Sequence, residues 1–183
     1  ASDVYKRQRY NGFDNPYWGV IRPDFSSATK TETIPAGSCP SAGFTDVPGE
    51  GNWAHAGIDY CVANGLMSGV GDNLFAPKMT TTRAQIVQIL YNLSGDKTDY
   101  SRYYLPFTDV APGAWYYNAV AWAYYNDVTS GTSATTFTPD AAITRQQLVT
   151  FLYRYTVKYA PEFTGNAAPI SAFPDAGSVA NWA

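Results

Sequence analysis

Apolar residues recur at helical spacing in four stretches of the chain, arranged as two pairs. Ile58, Cys61 and Val62 form one i, i+3, i+4 set, and Val120, Ala123 and Tyr124 form another. Such spacing gathers side chains on one helix face. A second type of stripe follows each: Ile86, Ile89, Leu90 and Leu93, then Leu148, Phe151, Leu152 and Tyr155. Each pair predicts helix, polar loop, helix. The first helix starts near Trp53 or Trp115 and stops at Asn64-Gly65 or Asn126-Asp127, because Gly, and after it Asn, tolerates the left-handed conformation that ends a helix. The second helix opens with Thr82-Arg83-Ala84-Gln85 or Thr144-Arg145-Gln146-Gln147. Thr followed three residues later by Gln is a capping box. The intervening loops close on Phe75-Ala76-Pro77 and Phe137-Thr138-Pro139, where the Phe plugs the core and the Pro blocks premature helix.

The pairs are copies of one unit. Phe44-Thr45-Asp46-Val47 returns as Phe107-Thr108-Asp109-Val110 and again as Phe173-Pro174-Asp175-Ala176, each followed by a Trp: Trp53, Trp115 and Trp182. From Trp53 to Leu93 the first copy aligns without a gap on Trp115 to Tyr155, which brings Ser68-Gly69 onto Ser130-Gly131. A helix pair this short cannot bury its own apolar face, so neighbouring copies must pack together.

These residues resemble the S-layer homology family: a Phe-x-Asp-Val start, a Trp, an Asn-Gly-like break with Ser-Gly soon after, a Phe-x-Pro and a Thr-Arg-Ala-Glu-like helix start. The resemblance covers about residues 41–160 in full and 171–183 as a stub. It implies a mostly α fold of tandem helix-loop-helix repeats packed as a pseudo-threefold bundle, incomplete here, with ligand grooves between repeats. It also implies a secreted module that holds a protein on the wall of a Gram-positive-type bacterium, through a secondary wall polysaccharide often carrying pyruvate ketals. The sequence departs from the family at Gln85 and Gln147, where Glu is usual, and at Asp127-Val128, where Gly-Ile or Gly-Leu is expected. The third repeat stops at Trp182-Ala183.

Composition fits that picture without proving it. Aromatic residues reach 16%, in a surface otherwise rich in Tyr, Thr, Ser and Asn, which suits contact with sugars. The net charge of −3 argues against a general nucleic-acid or membrane-surface binder. An anionic ligand would therefore depend on a few placed arginines. No apolar run approaches the length of a membrane-spanning helix.

Arg83 and Arg145 are the leading ligand candidates. A guanidinium grips a carboxylate with parallel hydrogen bonds, and a helix N-terminus adds free N–H groups and dipole attraction. The alternative is an intramolecular pair with Asp46 or Asp109. Trp53 and Trp115, like Trp182, either stack on sugar faces or pack at the foot of a helix. Phe44, Phe107 and Phe173 are assigned to the core. Asp46 and Asp109 either bind sugar hydroxyls or cap the local turn. Ser68, Gly69, Ser130 and Gly131 either let the backbone approach a ligand or form ordinary turns.

The one histidine, His55, reads as solvated on the first helix, so no metal set, cofactor or catalytic group is expected. The two cysteines, Cys39 and Cys61, read as a disulfide in a secreted protein. Closing about 22 residues, it would contribute on the order of 3 kcal/mol. Residues 1–8 match what a transposon end used in sequencing libraries encodes and read as a library scar; 9–40 read as a linker or the tail of an upstream domain. Repeat one spans 41–103, repeat two with its linker 104–170, and the third begins at 171. Three functions compete: a wall-polysaccharide anchor, the anchor portion of a wall-active enzyme, and an S-layer or protein-assembly module. None of them makes this chain itself an enzyme.

Overall fold

The computed structural model describes residues 38–164 and 169–183. The scar reading of residues 1–8 and nearly all of the segment 9–40 lie outside the described residues. Those described hold four α-helices and no strand: α1 (His55–Ala63), α2 (Arg83–Ser94), α3 (Tyr117–Tyr125) and α4 (Arg145–Tyr159). Short 3-10 turns, Pro40–Gly43 among them, punctuate the connections.

Helices α1 and α3 begin two residues later than the Trp that was expected to open them, leaving Trp53 and Trp115 in the preceding turns. Their ends fall where predicted. Asn64 and Asn126 are the C-caps, and Gly65 and Asp127 follow in the left-handed region. Both capping boxes form: Gln85 N–H donates to Thr82 Oγ1 at 3.3 Å, and Thr82 N–H donates back to Gln85 Oε1 at 2.8 Å. Thr144 and Gln147 repeat the pattern. Gln thus supplies the acceptor a Glu would supply, without its negative charge.

The core lies across the boundary between the copies. Helix α2 packs on α3, and Val87, Leu90, Phe107, Val120, Trp122, Val128, Phe137 and Phe151 form one buried cluster. The middle of helix α3 is covered: Ala119 through Ala123 are fully buried, including Trp122. Helix α1 buries Ile58 beside two polar residues, His55 and Asp59. Two near-identical stripes therefore become one central and one peripheral helix, because only α3 has a copy on the side facing α2. Fully burying an aromatic of this size contributes on the order of 2–3 kcal/mol, so Phe137 and Trp122 dominate this cluster.

Some stripe residues stay outside it. Leu93 and Leu152 are exposed, and Phe173, assigned to the core, is exposed as well. Helix α4 meets α2 through Phe151, while Val149, Tyr153 and Val157 remain open to solvent. Among the described residues no neighbouring unit covers that outer face.

Tyr155 stacks on Tyr159 at 4.9 Å, next to Trp122, and burial pushes its hydroxyl up to about 12. The folded state holds this proton after an unfolded Tyr, with pKa about 10, has released it. Its contribution is thus complete below pH about 10 and is lost as pH rises toward 12. Denaturant midpoints measured across that interval should fall, and Tyr155→Phe should flatten the fall.

Candidate functional site

Two grooves run along equivalent faces of the copies. The first, about 450 Å³, is lined by Ser130 and Gly131, by Gln147, Phe151 and Arg154 of α4, by Arg83, and by Trp182. The second, about 620 Å³, is lined by Ser68 and Gly69, by Gln85, Gln88 and Asn92 of α2, and by Trp115. Each groove thus combines the Ser-Gly loop of one copy, the second helix of that copy and the next Trp along the chain. Trp182 stands in the first groove as Trp115 stands in the second, and both are more than half exposed. Trp53 and Arg145 are exposed and line neither groove.

The loops that form the groove walls are held from beneath by the aspartates. Asp46 accepts the N–H groups of Phe75 and Ala76, both at 2.8 Å. Asp109 accepts those of Phe137 at 2.9 Å and Thr138 at 2.7 Å. Ala76 and Thr138 sit at φ +57° and +54°, a strained region for residues with a Cβ. Charge-assisted bonds of this kind offset that strain. Both carboxylates hold backbone N–H groups of the loop, as the turn-holding alternative expects. The glycines have a packing reason too. A Cβ on Gly131 would lie 2.6 Å from Phe107 Cε1, and one on Gly69 would lie 2.5 Å from Phe44 Cε1. The Phe of each Phe-x-Asp-Val motif therefore fixes the Gly of its own loop.

Arg83 is the unusual residue. Its side chain is buried, 2% exposed, between the rings of Phe137 at 4.7 Å and Phe151 at 5.2 Å. Nε donates to the Phe137 carbonyl at 2.8 Å, while Nη2 is buried without a hydrogen-bond partner. Burial pushes the guanidinium below its ordinary range, and the charge of Asp109 partly offsets this. Loss of its proton is not an available response, since guanidinium remains charged in proteins. The backbone at this helix start, by contrast, is not open to a ligand. Arg83 N–H donates to Ala141 O, Ala84 N–H to Pro139 O, and Gln85 N–H to Thr82 Oγ1. Two of the expected free N–H groups are consumed by the loop of the second copy and the third by the helix's own cap. Arg145 occupies the matching sequence position but is exposed, so the two arginines are equivalent in sequence and not in setting.

Two further expectations are corrected. Cys39 and Cys61 are unbridged. Cys39 Sγ lies 3.7 Å from Asp59 Oδ1, and Cys61 is two residues beyond Asp59, on the far side of a helix that turns about 100° per residue. His55 is not solvated. It is 8% exposed, with Nδ1 at 2.7 Å from the Pro48 carbonyl and Nε2 at 3.2 Å from Asp59 Oδ2.

Sequence reasoning missed the helix faces that floor the grooves. Gln147, Thr150, Phe151 and Arg154 fall at i, i+3, i+4 and i+7, as do Gln85, Gln88, Ile89 and Asn92. Those mixed polar stripes were legible beside the apolar ones.

A tandem helical module whose repeats share two equivalent surface grooves is the class that the fold and site define. The S-layer homology domain matches residues 43–87 and 106–149, and the chain carries that family's repeat in two copies. This is a cell-wall-anchoring domain rather than a catalytic one. Similar stretches occur in an exoglucanase, XynX, of Acetivibrio thermocellus, 28% identical over 78% of this chain and 13% of that protein. They also occur in a surface-layer 125 kDa protein of Lysinibacillus sphaericus, 30% identical over 72% of this chain and 10% of that protein. A cellulosome-anchoring protein of A. thermocellus is 30% identical over 58% of this chain and 24% of that protein. The chain therefore spans no more than about a quarter of these relatives. Among the described residues no helix is long and apolar enough to cross a membrane.

Asp109→Asn removes one acceptor from a loop that needs both oxygens. It should lower unfolding free energy by roughly 1–3 kcal/mol in urea titrations, while Asp175→Asn, at an exposed position, should leave it within about 0.5 kcal/mol.

Proposed function

We propose that this module anchors a larger secreted protein noncovalently to the bacterial cell wall by seating an acidic sugar of a secondary wall polysaccharide, a pyruvate ketal in particular, in the Arg83 groove. The observation that carries the reading is the buried Nη2 of Arg83 without a partner. A charge removed from water and left incompletely paired costs several kcal/mol, and a ligand carboxylate would offset that cost. With Nε committed to Phe137 and Nη2 buried, the contact requires the groove lining to open onto the Nη end of the guanidinium and is not a full two-pronged fork. Trp182 offers an exposed ring for stacking on a sugar face, and the exposed Ser130 offers a hydroxyl. No arginine lines the second groove, which suits it to neutral sugars beside Trp115.

Residues 171–183 are read as the beginning of a third repeat. Trp182 completes the first groove as Trp115 completes the second, and Ala180 N–H donates to Gln146 Oε1 at 3.2 Å. What the anchored protein does is set by its other domains. An enzyme such as the exoglucanase relative and a surface-layer component are both compatible cargo.

Co-sedimentation with purified wall sacculi tests the proposal. Affinity should drop roughly tenfold or more for Arg83→Lys, which keeps a cation in the cleft but loses the planar donor set. Chemical removal of pyruvate ketals should have the same effect, whereas Arg145→Ala should stay within about twofold. Thermal melts of each variant separate lost binding from lost folding. Undiminished binding to sacculi lacking the acidic groups would sink the carboxylate reading.

A further inference from the structure

The first copy carries a polar cluster that its own repeat architecture does not require. Cys39 Sγ, His55 Nε2 and the Asp59 carboxylate converge, with Sγ–Nε2 at 3.5 Å, Sγ–Oδ1 at 3.7 Å and Nε2–Oδ2 at 3.2 Å, and one ligand atom from each residue lies within 4.8 Å of the others. In the ungapped alignment His55 falls on Tyr117 and Asp59 on Ala121. Both residues are buried in the second copy, where the same helix packs without either polar group. The trio is thus an addition to the fold and not a condition of it.

The hydrogen bonding around the trio leaves a place for a cation. The Pro48 carbonyl can only accept, so His55 Nδ1, 2.7 Å away, carries the proton. In the neutral ring Nε2 then presents a lone pair toward the Asp59 carboxylate and the Cys39 sulfur. Without an ion the trio is held by protons, since the Cys39 S–H points to Asp59 Oδ1 and a second imidazole proton would pair Nε2 with Asp59; a metal ion would take the place of both. The surroundings favour the ion. A histidine that donates Nδ1–H to a backbone carbonyl has the tautomer and fixed ring of a metal ligand, and Ser41 N–H donates to Asp59 Oδ1 at 2.9 Å, orienting the carboxylate. Tetrahedral bonds of about 2.3 Å to sulfur and 2.0–2.1 Å to nitrogen and oxygen give ligand–ligand separations of about 3.3–3.6 Å. The Sγ–Nε2 separation of 3.5 Å falls in that range, and each of these two atoms lies close to it from one or the other Asp59 oxygen.

We propose that Cys39, His55 and Asp59 form a zinc site. Sulfur and imidazole ligands select zinc over calcium and magnesium, which take oxygen. Binding releases one proton from the Cys39 thiol, and the metal bonds to the thiolate, the His55 Nε2 and one Asp59 oxygen, with water in the fourth position. The ion would tie the Pro40–Gly43 turn to the first turns of α1, the task that sequence reasoning assigned to a disulfide. A nucleophilic Cys–His–Asp triad does not fit, because Asp59 approaches the same ring nitrogen as Cys39 instead of the opposite one.

Cobalt(II) titration of the full reduced chain reads the site directly. The expected result is one equivalent bound, with a thiolate-to-cobalt charge-transfer band and tetrahedral d–d bands, displaced by zinc. Cys39→Ser should abolish the charge-transfer band, Asp59→Asn should weaken binding at least tenfold, and Cys61→Ser should change neither. Circular dichroism melts without metal should confirm that all three variants fold, and zinc should raise the melting temperature of wild type and not of Cys39→Ser. Absence of the charge-transfer band in the wild-type chain, or its survival in Cys39→Ser, would overturn the assignment and leave His55–Asp59 as a buried ion pair.

Discussion

The peptide unit at Phe137 is the point on which the rest of the described structure depends. Its N–H is held by Asp109 from its own repeat, and its carbonyl is held by Arg83 from the repeat before. Its ring is fully buried beneath the same guanidinium. One residue is therefore fixed on three sides, and two of them cross the repeat boundary. The start of α2 reinforces this junction, because its first N–H groups are satisfied by carbonyls of the second repeat's loop instead of by water. Neither repeat can rearrange here without leaving buried polar groups unpaired, at a cost of about 1–3 kcal/mol each.

The proposed binding chemistry starts from that junction. Using Arg83 as a structural clamp places its guanidinium at the floor of a groove, and using only Nε for the clamp leaves Nη2 over. The aspartates that would repel an acidic ligand are turned inward and occupied by backbone N–H groups. Gln147 caps α4 at the groove wall without contributing a carboxylate. A chain with a net charge of −3 thus presents one locally positive recess.

Much of this was legible in the sequence. The helix ends were, because Asn64-Gly65, Asn126-Asp127 and the two Thr-x-x-Gln boxes carry their signal within a single turn of chain. Grouping Ser130-Gly131 with Arg83 and Trp182 was legible only in outline, since repeats reveal which residues are equivalent but not which copies meet. The different settings of Arg83 and Arg145 were invisible for that reason: the same Thr-Arg-x-Gln start, a neighbour on one side only. Cysteine counting suggested a bridge, whereas both cysteines are unbridged and Cys39 faces Asp59 instead. His55 was misread because a lone histidine gives no periodic signal, and its partners at residues 39 and 48 come from a segment without regular spacing.

Side-chain NMR of nitrogen-labelled arginine, with a pyruvylated oligosaccharide titrated into the chain, bears most directly on the idea that Arg83 is clamp and anion anchor at once. Saturating ligand should shift the Arg83 guanidinium and the Trp182 indole N–H while Arg145 stays unmoved, and the Arg83 Nε–H should remain protected from exchange throughout. Saturable binding with an unchanged Arg83 resonance would contradict it and reduce that arginine to a structural clamp.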